Sequence, residues 1–149
     1  MKVTMLLADA AQAVAGKLFI LGGGWSITGP NPVPSAIALK IEVPWDQANR
    51  RHDVVLELLN ADGQEIRLPT PQGEQPVAVR GQFEVGRPPG LAPGTPLDAT
   101  VAVNVGPLPL PPGGRYLWRL SINGETREDW QVAFSTRPAL PGQLVPPQI

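Results

Sequence analysis

The stretch Pro111–Gly124, PPGGRYLWRLSING, decides the fold class of this chain. Every second residue of Tyr116–Ile122 is large and apolar, and polar residues lie between them except at Leu117. This period of two is typical of a β-strand that buries one face. Asn123-Gly124 then supplies the positive φ angles of a tight turn, and a second alternating run follows over residues 130–135. The stretch therefore predicts a β-hairpin with an aromatic inner face.

Similar alternating runs occupy most of the remaining chain. With the hairpin they predict about eight to nine short strands, over residues 3–8, 17–22, 35–43, 54–59, 65–68, 77–85, 97–105, 115–122 and 130–135. The first two runs are predicted to pair as a hairpin. Nineteen prolines and sixteen glycines exclude long helices, because both residue types break them. We expect an all-β, single-domain β-sandwich, immunoglobulin-like or C2-like, with a barrel as the second choice.

Two features refine this expectation. Tyr116 follows a Pro-Gly-Gly corner, an arrangement that resembles the tyrosine corner of immunoglobulin-like sandwiches. Residues 137–149 contain four prolines and show no periodicity. We therefore expect a sandwich domain over residues 1–136 and a proline-rich extended tail over residues 137–149. Such a tail could bind a partner or cover a sheet edge of its own domain.

Composition excludes several classes of function. The chain has no cysteine, which excludes a disulfide framework, a thiol nucleophile and a thiolate metal site, and which fits a cytoplasmic location. Its net charge is -1 without any basic run, so we expect neither a nucleic-acid partner nor a membrane surface as a partner. Residues 3–8 form too short an apolar run for a signal peptide, and no stretch is long enough to span a membrane.

Catalytic chemistry has little support in the sequence. His52 is the single histidine, no Gly-x-Ser-x-Gly motif occurs, and we expect His52 to lie in a loop or at the start of a strand. The aspartates are scattered without an Asp-x-Asp pair, so solvated turn residues are favoured over a calcium site. We therefore expect no enzyme activity, no cofactor and no metal.

The candidate interaction residues are chosen for their position. Trp25 and Trp45 lie at strand ends, where exposure would suit sugar stacking or a protein contact, although buried plugs at the rim of the sandwich are favoured. The three consecutive glycines permit close approach of a ligand, although a bulge or tight bend is favoured. Arg50-Arg51-His52 is the densest basic segment and adds Arg50 and His52 as candidates, although a solvated loop flanked by Asp46 and Asp53 is favoured. The complete set is Gly22, Gly23, Gly24, Trp25, Trp45, Arg50 and His52.

Several segments resemble a known family. They are Leu6–Gln12 (LLADAAQ), Gly16–Trp25 (GKLFILGGGW), Val43-Pro44-Trp45, Asn49–His52 and Pro112–Tyr116. In these segments the chain is similar to a family of short, uncharacterised bacterial proteins, a domain of unknown function. The resemblance covers most of the chain outside the tail. It implies a stand-alone cytoplasmic β-sandwich and assigns no catalytic residue.

Two functions follow as expectations. The first is a non-enzymatic β-sandwich that binds another protein or assembles with itself, since β-edges, rim aromatics and a proline-rich tail all suit protein contacts. The second is a small-ligand module for a carbohydrate or calcium, lined by Trp25, Trp45 and turn aspartates.

Overall fold

The computed structural model describes residues 1–139. Within them the chain forms one short 3₁₀ helix, Trp45–Gln47, and twelve strands: β1 (Lys2–Ala8), β2 (Ala10–Val14), β3 (Lys17–Leu21), β4 (Ile27–Thr28), β5 (Ser35–Val43), β6 (His52–Asn60), β7 (Arg67–Thr70), β8 (Gly73–Pro76), β9 (Ala78–Phe83), β10 (Leu97–Val105), β11 (Arg115–Ile122) and β12 (Gln131–Thr136). Of the predicted tail, residues 140–149 lie outside the described residues.

The strands form a β-sandwich, which confirms the predicted fold class. One sheet has the order β1-β5-β10 and the other has the order β4-β12-β11-β6-β9, while β2-β3 and β7-β8 are separate hairpins. This order matches strands A-B-E and G-F-C-C′ of an immunoglobulin-like sandwich. Strand β4 pairs in parallel with β12, and every other pair is antiparallel in residues 1–139.

The core lies between the two sheets, and the β11–β12 hairpin supplies much of it. Its predicted inner face is confirmed, because every second residue from Tyr116 to Ile122 is buried. Strand β5 opposes it with Ile37, Leu39 and Ile41, which are fully buried. Each such side chain stabilises the fold by about 1.5–3 kcal/mol relative to an exposed position. The turn at Asn123-Gly124 has φ angles of 52° and 80°, as the sequence predicts.

A tyrosine corner forms at the start of β11, also as predicted. The Tyr116 hydroxyl donates a hydrogen bond to the carbonyl oxygen of Pro111 at 3.1 Å. The Thr136 hydroxyl donates to the same oxygen at 2.9 Å and accepts from the Gly114 N–H at 2.9 Å. These bonds attach the proline-rich connection to both strands of the hairpin.

The predicted pairing of residues 3–8 with 17–22 is wrong. Strand β1 pairs with β5 instead, and β3 folds back on β2 through a two-residue turn at Ala15-Gly16, where φ is 51° and 74°. The outward face of β5 carries Ala36 and Ala38, and these small side chains let the β2–β3 hairpin lie directly on the sheet. The hairpin is thus an insertion between the strands equivalent to A and A′ of an immunoglobulin-like sandwich.

The strand number differs from the expected eight to nine because three strands lack a local signal. Strand β2 (AAQAV) is rich in alanine, β8 (GEQP) is polar, and β4 has only two residues. Alternation predicts a strand only where one face is apolar and buried. These three strands form through pairing with a neighbour, and their own sequences do not indicate it.

Candidate functional site

The three glycines form a tight bend, which confirms the favoured interpretation. Gly22 and Gly24 have φ angles of 61° and 90°, a region that L-residues rarely adopt. The Gly24 N–H donates to the carbonyl oxygen of Leu7 at 2.7 Å, which returns the chain to the main sandwich. A Cβ atom at Gly22 would collide with the carboxylate of Asp9. The positive φ angle favours glycine here, and an added Cβ would in addition displace the Asp9 side chain.

The two rim tryptophans lie at opposite ends of β5 and do not share a site. Trp25 is half-buried near Ser35, packs edge-on against Phe134 at 6.1 Å, and lines a cavity of about 40 Å³. That volume holds only a few water molecules. Trp45 follows Val43 at the other end and borders an open hollow of about 560 Å³. A ligand site lined by both tryptophans therefore does not form.

Trp45 is covered on one side by an arginine. The Arg87 guanidinium lies 4.9 Å from the centre of the Trp45 ring. It also donates to the Trp45 carbonyl oxygen through Nη2 at 2.6 Å and Nε at 3.1 Å. A cation over an indole face is attracted by the ring quadrupole. The Trp45 ring is thus half-buried and partly occupied within its own domain.

Arg50 and His52 differ in exposure although they are close in sequence. Arg50 is exposed, and its Nη2 donates to the Asp46 carbonyl oxygen at 2.8 Å. His52 is only 2% exposed and stacks on Phe83 with 5.1 Å between ring centres. His52 begins β6, as predicted. A buried ring of this kind supports the loop structure and presents little surface to a partner.

Across residues 1–139, no three histidine or carboxylate side chains come together in a way that could hold a metal ion. In the same residues no helix has the length and apolar character needed to cross a membrane.

The most exposed apolar surface belongs to the β2–β3 hairpin, which the sequence analysis did not select. Phe19 is 57% exposed and Leu21 is 70% exposed, and both lie on the outward face with the half-exposed Val14. We call this face the hairpin surface; it consists of Ala10, Gln12, Val14, Lys17, Phe19 and Leu21. Exposed contiguous apolar patches commonly mark interaction sites. A signal was present, because all four residues of Leu18–Leu21 are apolar, and a strand of a hairpin that lies on the outside of a sheet buries only one of its two faces.

The inner face of the hairpin holds it against the three-stranded sheet. Ala11 and Leu18 cover a layer of small side chains, namely Ala8, Ala36, Ala38 and Ala102. The Asn104 side chain bonds to both backbone groups of Ala11: its Oδ1 accepts from the N–H at 3.2 Å and its Nδ2 donates to the carbonyl at 2.9 Å. The hairpin surface therefore rests on a fixed base.

One edge of the hairpin is open. Within residues 1–139, β3 pairs only with β2. The turn joins Val14 to Lys17, so the backbone groups of Lys17, Phe19 and Leu21 face β2. The groups of Leu18 and Ile20 consequently face the open edge. Natural edge strands usually carry charges, proline or a bulge that blocks pairing. Leu18–Leu21 contains neither a charged residue nor a proline.

Comparison with protein families shows to which family the chain belongs. A family model matches residues 3–134, almost the whole described sandwich. The chain belongs to DUF6941, a family of unknown function. Membership in DUF6941 agrees with the resemblance seen in the sequence. No curated protein and no solved structure matched the chain.

Proposed function

We propose that this protein is a non-enzymatic β-sandwich that acts by protein–protein association, and that its open β3 edge, flanked by the hairpin surface, pairs with the same edge of a second copy. The observation that supports the proposal is the combination of an apolar outward face with an open β3 edge. Strand addition at an exposed edge is a common mode of recognition, because backbone hydrogen bonds supply affinity and side chains supply specificity. A cytoplasmic location is part of the proposal, supported by the absence of cysteine.

The register of β3 suits pairing with itself. Two antiparallel β3 strands related by a two-fold axis through Phe19 would place Leu18 of each copy opposite Ile20 of the other. These are the two residues whose backbone groups face the open edge, so they would exchange hydrogen bonds as a bonded pair. Phe19 would then face its own copy in the non-bonded position, where cross-strand side chains approach most closely. The hairpin is self-complementary, as a two-fold interface requires.

Charge supports the same arrangement. In this pairing Lys17 of one copy lies opposite Leu21 of the other, next to the bend where Asp9 contacts Gly22. Each Lys17 would thus lie at the end of the partner hairpin that carries Asp9. Within residues 1–139, neither side chain has an ion-pair partner within 4.0 Å. Opposite charges at the two ends of a strand favour the antiparallel over the parallel orientation.

The test is the mass in solution, measured by light scattering and sedimentation from about 1 μM to about 1 mM, a range suited to a weak interface. We expect a concentration-dependent dimer that Phe19→Glu abolishes. Leu91→Glu is the matched control, because Leu91 is 41% exposed and lies in a loop away from the hairpin. Lys17→Glu should weaken the dimer, since it places like charges near each other.

Three results would oppose the proposal. A monomer at every concentration would exclude self-association, and equal loss with Phe19→Glu and Leu91→Glu would exclude the hairpin surface. A chain that ends at Ala139 provides the third test, because it keeps the Arg137 N–H bond to the Thr28 carbonyl oxygen at 2.8 Å. If this shortened chain is monomeric while Phe19→Glu still associates, the contact belongs to the last ten residues.

A further inference from the structure

A polar hollow of about 400 Å³ lies at the end of the sandwich where β5 ends. It is lined mainly from two loops, residues 44–51, which join β5 to β6, and residues 123–130, which join β11 to β12. Met1 and the strand residues His52 and Ile122 complete the lining. In the immunoglobulin-like strand order these are the B–C and F–G loops. Both lie at one end of the sandwich, and that end carries the binding loops of variable domains. This likeness concerns position in the fold alone, because one fold supports many different functions.

The lining is rich in guanidinium groups. Arg50, Arg51 and Arg127 all border the hollow, and Glu125 is the single carboxylate among the described lining residues. Within residues 1–139, none of the three arginines has a carboxylate oxygen within 4.0 Å. Guanidinium groups present several fixed N–H donors and match the geometry of oxyanions. The hollow thus has more cationic donors than it neutralises itself.

Two of the three arginines are held in place. Arg50 bonds to the Asp46 carbonyl oxygen through one nitrogen, which leaves its other N–H groups free to act as donors. The Arg127 guanidinium lies 5.2 Å from the centre of the Trp130 ring. A side chain that is already positioned loses less conformational entropy when a ligand binds.

A hydrogen-bonded pair, the buried His52 and the exposed Asn123, joins the two loops. The Asn123 Nδ2 donates to His52 Nδ1 at 3.0 Å, and His52 Nε2 donates to the Gln47 carbonyl oxygen at 2.8 Å. Since a carbonyl can only accept, the ring proton is assigned to Nε2. Asn123 Oδ1 also accepts from the Asp53 N–H at 2.9 Å. These bonds fix the separation between the loops that carry the arginines.

An unpaired donor belongs to one of the residues that line the hollow. Trp130 lines the hollow and is only 3% exposed. Its buried Nε1 N–H has no hydrogen-bond partner among the described residues. A buried N–H without a partner is costly, and in native proteins it usually has an acceptor.

From these observations we infer that the hollow binds an oxyanion, specifically the phosphate group of a small molecule or inorganic phosphate itself. The volume of about 400 Å³ lies within the range of small-molecule pockets and exceeds what one phosphate needs. The guanidinium groups donate hydrogen bonds to the anion, and the Glu125 carboxylate repels it and so weakens its binding. This site is separate from the hairpin surface, so it stands or falls independently of the proposed self-association.

The test is binding of inorganic phosphate, pyrophosphate and a simple phosphate monoester to the full chain, followed by amide chemical shifts and calorimetry. Sodium chloride at matched ionic strength is the reference. We expect shifts in the two loops, and affinity about tenfold weaker in Arg127→Gln and Arg50→Gln, as for loss of a charged hydrogen bond. Glu125→Gln should tighten binding. Arg80→Gln removes the same charge from exposed β9 and should change nothing.

The outcomes separate the sources of the anion. A monoester that binds more tightly than inorganic phosphate would assign the site to an organic phosphate, and equal binding would assign it to the free ion. Two results would overturn the inference: chloride producing the same shifts, or Arg80→Gln weakening binding as much as Arg127→Gln. Because Glu125→Gln is expected to act in the opposite direction, a general loss of folding cannot imitate the full pattern.

Discussion

The Tyr116 hydroxyl donates to the carbonyl oxygen of Pro111, five residues earlier in the chain, at 3.1 Å. Its ring packs against Phe134 with 5.5 Å between centres. Tyr116→Phe keeps the ring and removes only the hydrogen bond. We expect it to lower the free energy of unfolding by about 1 kcal/mol, measured by urea denaturation. An unchanged midpoint with an unchanged slope would show that this corner contributes nothing to stability.

The same hydroxyl predicts a pH dependence at high pH. Burial raises the pKa of Tyr116 above its ordinary value of 10.0, because the charged form is poorly solvated. The folded state therefore holds this proton more tightly than the unfolded state. Its contribution to stability is complete below pH 10.0 and is lost as pH rises through that value towards the higher folded pKa.

The measurement is the free energy of unfolding from about pH 8 to about pH 11 for the natural chain and for Tyr116→Phe. The two share every lysine and arginine, so subtraction isolates the tyrosine. We expect the natural chain to lose more stability than the variant over this range. Parallel curves would contradict the prediction.

The Asn123 side chain should matter more than its turn position suggests. Asn123→Gly preserves the positive φ angle and removes the bonds to His52 and to the Asp53 N–H. We expect a loss of about 1–3 kcal/mol in urea denaturation, because the buried ring nitrogen of His52 then lacks a partner.

Asn49→Gly is the matched control for this prediction. Asn49 also has a positive φ angle, 60°, and its side chain makes no hydrogen bond within residues 1–139. Glycine there should leave stability unchanged or raise it slightly. Equal losses in the two variants would show that the turn backbone, and not the bond to His52, is responsible.

Asn104 should control local opening of the β2–β3 hairpin. Asn104→Ala removes both bonds to the backbone of Ala11. We expect hydrogen exchange at Gln12 and Phe19 to accelerate by about tenfold, corresponding to one or two lost bonds. Thr100→Ala, on the same strand, should leave these rates unchanged. Unchanged exchange in Asn104→Ala would mean that the alanine layer alone holds the hairpin.

The bend at Gly22 should tolerate a side chain less well than the turn at Gly16. Both have positive φ angles, 61° and 74°, so alanine is strained at either position. Only at Gly22 would the added Cβ meet the Asp9 carboxylate, whereas the space at Gly16 is open. We expect Gly22→Ala to cost about 1 kcal/mol more than Gly16→Ala. Asp9→Ala should reduce this difference, and equal costs would refute the contact.

Features that depend on neighbouring residues were predicted correctly from the sequence. Apolar and polar residues alternate at a period of two in β11 and β12, and Asn123-Gly124 supplies a turn that few other dipeptides form. Both features are properties of neighbouring residues, so they need no knowledge of distant chain. The glycine bend before Trp25 and the position of His52 at a strand start were found for the same reason.

The sequence by itself thus determined an all-β sandwich and the inner face of the β11–β12 hairpin, because burial of alternate residues is a local constraint. Only the tertiary structure decided that β1 pairs with β5, that Ala10–Val14 is a strand, and that Trp25 and Trp45 lie apart. It alone brought Arg127 to the same hollow as Arg50, which is more than seventy residues away in sequence. Such pairings depend on which surfaces, distant in sequence, fit together. A small side chain such as Ala36 allows close packing, but it does not specify which segment packs against it.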